Sequence, residues 1–316
     1  MKYLCFLLLT VNFLLSHSQA KMFERKVHTI EGKKVYDFDK SWTSLKSSES
    51  NAIKELITIL IRSSTGQKII KKARAKASSY GKKLSDVIFG GEGSITDTTL
   101  VRRFSPVRPE EISYESRSKV FINRNLSIKN AILDLAHELT HFSFRTTFNP
   151  YHGHFDLKDF ITSTVEGKGG EVDAYLVECR VLLELFGDQV SDSNCHRILN
   201  KETGKIDRKK GIDEFYQLGK YYKSFNSQIK KHNLAPKNFS QTSTKSAHFI
   251  SSAYGLPYPL AAVYEYESIM RRVCKNDERR LNIMRNKKGR MPSTAQQKEF
   301  STFFQFHLDR CRYFGD

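Results

Sequence analysis

The sequence predicts an α+β chain that is predominantly helical with a small sheet. Apolar residues recur at helical spacing in several long stretches, and only short β-branched runs come between them. The composition, 39% hydrophobic and 27% charged, is that of an ordinary globular protein. At 316 residues the chain can bury a sizeable core in one large domain or two modest ones. It contains no internal repeat and no low-complexity tract.

The N-terminus is set apart from the fold. Lys2 supplies a short positive start, Tyr3 to Leu15 an apolar stretch, and Ser16-His17-Ser18-Gln19-Ala20 the small residues where signal peptidase cuts. This layout predicts a signal peptide over residues 1–20, cut near Ala20, and a secreted or periplasmic product. The apolar run is too short to span a bilayer and contains Asn12; no later segment is apolar enough to cross one. Cys179, Cys195, Cys274 and Cys311 then remain, and an even count in an exported chain favours disulfides. Of the three connectivities, the sequence-local one is expected: Cys179–Cys195 and Cys274–Cys311. No CxxC spacing supports a thiolate zinc site or a redox motif.

The elements follow in order. Ser50 to Ser63 has Ala52, Ile53, Leu56, Ile57, Leu60 and Ile61 at helical spacing. Thr65 opens a second helix over Ile69 to Tyr80, whose outer face carries Lys68, Lys71, Lys72, Arg74 and Lys76; such a face is ordinarily solvated. Gly90 to Glu111 is loop-like. Its Gly90-Gly91-Glu92-Gly93 lacks phosphate-cradling spacing and reads as a turn. Lys119 to Asn123 is a short strand. Ser127 is a good N-cap for the next helix, where Ile128, Ala131, Ile132, Leu135, Ala136, Leu139 and Phe142 form one apolar stripe. After Gly169-Gly170, Glu171 to Phe186 places Val172, Leu176, Cys179, Leu182, Leu183 and Phe186 on another. A polar stretch runs from Ser191 to about Asp213, Gly255 to Pro259 is a break, and Gln296 to Tyr313 reads as a docked aromatic helix. The expected organisation is a signal peptide (1–20), an N-terminal helical and basic region (21–115), a core of strand and two helices (116–190), and a C-terminal helical region packed on it (191–316).

Within the core stands His137-Glu138-Leu139-Thr140-His141, an HExxH motif. On a helix, residues four apart share a face, so both imidazoles can reach one Zn2+ ion. Glu138 lies beside them, placed to take a proton from a water that the metal activates. A catalytic zinc site needs a third protein ligand and an open position. Glu171, Tyr175 and Glu178 share one face of the second helix, and Glu171 stands in its first turn, where the helix dipole favours a carboxylate. Glu178 and Glu166 are the other candidates.

At these residues the sequence resembles the zincin metallopeptidases. The metzincin form would need Gly at position 144 and His at 147, where Phe144 and Thr147 stand; His152 and His154 are at the wrong spacing. The pattern is similar to the gluzincin branch, which takes its third ligand as a Glu from a downstream helix, and Glu171-Val172-Asp173-Ala174-Tyr175 resembles that helix. The resemblance covers about Val120 to Leu185. It implies a zincin-like catalytic core, the metal ligands His137, His141 and Glu171, Glu138 as general base, and an edge strand before the motif helix that pairs with substrate. Lys119 to Asn123 is the candidate strand. Thermolysin-like members carry an Asp four residues after the third ligand to orient a zinc-binding His. Tyr175 occupies that position here, which leaves the role to Asp173 or to nothing. Tyr175, His248, Tyr254 and Tyr258 are candidates to stabilise an oxyanion.

The resulting expectation is a secreted zinc-dependent peptidase acting on a peptide or protein substrate. Two alternatives stand beside it. One is a zinc hydrolase cutting a non-protein amide, such as one in a cell wall. The other is a basic protein that binds an anionic surface or envelope polymer, with a structural or degenerate zinc site. The latter draws on the formal net charge of +18, of which the leader holds only Lys2, and on clusters at Lys71-Lys72, Arg208-Lys209-Lys210 and Arg285 to Arg290. There is no specific nucleic-acid motif.

Overall fold

The computed structural model describes residues 36–314 except 106, 110, 147, 152–154, 240 and 288–293; the expected signal peptide and His152 and His154 lie outside the described residues. From Asp39 onward the chain forms one unit. Its centre is a helical layer. Helix α1 (Glu49–Leu60) is capped by the Ser48 side chain, and α2 (Ser64–Ser79) by Ser63, whose hydroxyl oxygen accepts from Gly66 N at 2.9 Å. Helix α3 (Ile128–Phe144) carries the HExxH residues and starts at Ser127, as its N-cap chemistry predicts. Its stripe of Ala131, Ile132, Leu135, Ala136 and Leu139 is fully buried. Helices α4 (Leu157–Val165) and α5 (Glu171–Phe186) follow, and α3 packs against α1, α2 and α5.

The sheet is larger than the sequence suggests. The region expected to be a loop holds two strands, β1 (Ile88–Gly91) and β2 (Ile95–Phe104), and the short strand expected at Lys119 to Asn123 is the end of β3 (Ile112–Asn123). The reason is non-local: β2 mixes Thr, Asp and Arg with Ile95, Leu100, Val101 and Phe104 in no alternating pattern, and β3 pairs it in an antiparallel ladder from Ile95↔Phe121 to Phe104↔Ile112. No periodic apolar signal marks such a strand. Strand β1 runs parallel to the end of β3, so the order is β1-β3-β2. The strand expected at the sheet edge is therefore central, and β2 is the edge on the far side. Val120 and Ile122 are wholly buried on the face that meets α3.

Beyond α5, the polar stretch contains a hairpin, β4 (Leu199–Asn200) with β5 (Lys205–Ile206), then α6 (Arg208–Phe215) capped by Asp207. Helix α7 (Tyr222–Lys231) and a second hairpin, β6 (Ile250–Ser251) with β7 (Leu256–Pro257), lead to the long α8 (Tyr258–Lys287) and to α9 (Thr294–Cys311). The phenylalanines of α9 are half-buried rather than core: Phe303 and Phe306 lie under the guanidinium groups of Arg280 and Arg310, at 4.2 and 4.5 Å. Both expected disulfides are present. Cys179–Cys195 ties α5 to the turn after it, and Cys274–Cys311 ties α8 to α9. Among the described residues no helix is long and apolar enough to cross a membrane.

Candidate metal centre

The helical rise sets His137 and His141 one turn apart on α3, with ring centroids 4.8 Å from each other. Across the helix contact, Glu171 in the first turn of α5 brings its Oε2 within 3.4 Å of His137 Nε2 and 3.5 Å of His141 Nε2. His137, His141 and Glu171 thus offer one ligand atom each, all within 4.8 Å of one another. His137 and Glu171 keep 13% and 14% of their side chains exposed.

The other ring nitrogens are held from behind. Gly169 O, which can only accept, lies 2.8 Å from His141 Nδ1, so that nitrogen donates to it. His137 Nδ1 lies 3.0 Å from Glu178 Oε2, two turns along α5 from Glu171. This arrangement could serve a divalent cation: two imidazole Nε2 atoms and one carboxylate converge, each histidine oriented by an acceptor behind it. The residues fit zinc. The second carboxylate is Glu178, seven residues after Glu171, where the sequence pointed to Asp173 or to nothing. Asp173 instead accepts from Gly169 N at 3.1 Å and from Arg208 Nε at 3.1 Å, and so holds the turn whose carbonyl holds His141. Gly169 has φ +70, and a Cβ there would meet Arg145 N at 2.5 Å, so this close backbone approach demands glycine. Glu166 is elsewhere: its carboxylate accepts from Tyr216 OH at 3.1 Å.

Electrostatics follow from the crowding. Burial lowers the His137 pKa, but Glu171 and Glu178 more than offset it and hold the imidazole well above its usual value. Burial raises Glu171, and the two histidines outweigh it and hold the carboxyl well below its usual range. A cation with unit or higher charge could take the place of the protons these groups share.

Glu138 is buried, at 7% exposure, and its Oε2 lies 2.7 Å from the hydroxyl of Thr96 on β2; the same hydroxyl is 2.8 Å from Glu138 O. Ser94, just before β2, accepts from Asn123 N at 3.1 Å and hydrogen-bonds Asp134, one turn before Glu138. Sequence reasoning missed Thr96, Ser94 and Asp134, because all three depend on the ladder that brings β2 to α3. Of the four oxyanion candidates, Tyr258 is coupled electrostatically to the carboxylates of this centre. Burial raises its phenol well above the usual value, and Glu171, Glu178 and Glu138 add to the shift. Tyr175 is also raised, by burial and by Glu178, whereas Tyr254 donates to Glu265 at an exposed position. His248 makes a backbone contact with Asn194 Nδ2 at 3.1 Å.

Burial pushes the Asp134 carboxyl up to about 6, against the Ser94 hydrogen bond and with help from Glu178. A carboxyl held above its unfolded value of about 4 loses the folded state stability as pH rises between the two, since the unfolded chain releases its proton first. In the metal-free protein, Asp134→Asn is expected to raise stability near pH 7.5 by about 1–3 kcal/mol and to change it little near pH 4. Urea unfolding at both pH values checks this; an equal effect at both would mean packing, not ionisation, is responsible.

Comparison with protein-family models, curated proteins and solved structures finds no match to this chain.

Proposed function

We propose that this protein is a zinc-dependent peptidase acting outside the cytoplasm. The observation that carries the reading is the convergence of His137 Nε2, His141 Nε2 and Glu171 Oε2 beside a buried carboxylate, Glu138. His137, His141 and Glu171 would hold the ion, which when bound supplies a Lewis acid that activates water and polarises a carbonyl. Glu138 takes the proton from the attacking water and passes it to the leaving amine. Thr96 fixes the carboxylate rotamer for both transfers. Tyr258 stays protonated through the working pH range and donates a hydrogen bond to the developing oxyanion. The outer edge of β2, which has no strand partner among the described residues, offers backbone groups to an extended peptide beside Glu138. Two disulfides are compatible with an extracellular protein.

The test is metal content and hydrolysis measured together. Purified protein is expected to carry one zinc per chain, to lose hydrolysis of an unfolded protein substrate on chelation, and to regain it with zinc. Glu171→Ala is expected to abolish stoichiometric zinc at micromolar metal, and Glu178→Ala to weaken affinity by about 10–100-fold. Unchanged affinity in Glu171→Ala would refute the third ligand, and full activity of the metal-free protein would refute the zinc mechanism.

A further inference from the structure

Between Glu55 and Asp86 the chain has many cations and no acidic residue. The structure places most of them on one element. Helix α2 buries Ile69, Ile70, Ala73 and Ala77 against α3 and α5, and turns Lys68, Lys71, Lys72 and Arg74 to solvent. Lys82-Lys83, in the turn after the helix, are exposed as well. Among the described residues none of these six has an acidic partner within ion-pair distance. Two acids on the flanking elements, Glu184 and Asp86, are engaged otherwise. Glu184 of α5 accepts from Ser63, Ser64 and Thr65, including Thr65 N at 3.0 Å, and so caps the start of α2. Asp86 accepts from Lys83 N at 3.2 Å.

We propose that the outer face of α2, continued by Lys82-Lys83, is a docking surface for a linear anionic polysaccharide carrying sulfate or phosphate groups. A bilayer is disfavoured because interfacial helices insert an apolar face, and the apolar face of α2 is spent on α3 and α5. Single-stranded nucleic acid is disfavoured because only one ring, Tyr80 at the helix end, lies beside these cations among the described residues, and Lys76 sits over it at 5.4 Å, whereas base stacking along a strand uses several. The disulfides fit an oxidising compartment, where glycans are the abundant polyanions. The same helix rests on the helix of the HExxH motif, so docking would hold the candidate metal centre close to the polymer. The inference stands on charge placement and does not depend on the zinc reading.

The test uses the whole protein and long-chain heparin as the probe, with affinity measured from about 50 to 300 mM salt. Lys68→Ala/Lys71→Ala/Lys72→Ala/Arg74→Ala is expected to weaken binding at least tenfold. It should also flatten the log affinity against log salt slope by about 3, near the 0.7–0.9 expected per lost contact. A control that removes equal charge elsewhere, Lys201→Ala/Lys209→Ala/Lys223→Ala/Lys230→Ala, is expected to retain affinity within about twofold. Unchanged thermal unfolding and zinc content in both variants excludes misfolding as the cause. Equal losses in both variants would show that net charge, not α2, drives binding. Tighter binding to duplex DNA or to anionic vesicles than to heparin at the same salt would overturn the choice of polymer.

Discussion

Glu138→Gln is expected to keep one zinc per chain and to slow peptide hydrolysis by about 10²–10⁴-fold, the usual contribution of a positioned general base. The amide keeps the shape of the carboxylate and can still accept from Thr96, so the helix and the histidines beside it should not move. What it loses is the ability to take a proton from water and return it to the amine. The fall should appear in kcat more than in KM, because the group acts on the transition state and not on bound substrate. Metal analysis and steady-state kinetics on the same preparation decide the matter. A rate within threefold of the parent would remove Glu138 from the mechanism, and loss of zinc would mean that the substitution had disturbed the ligands instead.

The largest effect on stability is expected far from this centre. Asp277 of α8 is completely buried and pairs with Arg102 of β2, at 2.6 Å from its Nη2, and with Arg310 of α9. Arg102 is itself 2% exposed, hydrogen-bonded to Asn276 and stacked on Tyr151 at 3.9 Å. Arg280 lies close by, its pKa lowered by burial. One acid therefore balances two guanidinium groups out of contact with water. Asp277→Ala leaves both without a counter-charge and should cost about 3–5 kcal/mol, the range for breaking a buried pair from one side. Asp277→Asn keeps the volume and one acceptor but not the charge, so it should also be strongly destabilising. Urea unfolding of the zinc-free protein measures this apart from metal binding. A loss below about 1 kcal/mol would mean that the arginines find water or another acid once Asp277 is gone.

How much of this was legible in the sequence follows from the range of each interaction. Helix α3 was readable because its apolar stripe, its Ser127 cap and its HExxH residues all lie within one stretch of chain. The bounds of α5 were readable because Gly169-Gly170 break the chain and an apolar stripe follows. Strands β1 and β2 were not, since β2 mixes polar and apolar residues on both faces and owes its form to β3. The same gap hid Thr96, whose role exists only once the ladder lays it against Glu138. Glu178 shared a face with Glu171 in the sequence, but its bond to His137 depends on how α5 crosses α3. Nothing in the sequence singles out Asp277, because its partners come from residues far away in the chain.

The bond between Cys179 and Cys195 anchors the helix of the candidate metal centre to the turn after it. Cys179 directly follows Glu178, so the covalent tie is one residue from the carboxylate behind His137. Closing that loop is worth about 3 kcal/mol in chain entropy, applied to the helix that also presents Glu171. In a reduced chain the helix that presents Glu171 and Glu178 is less secure than in an oxidised one. On the proposed reading, thiol oxidation and metal binding would reinforce each other, since both favour the same ordered helix.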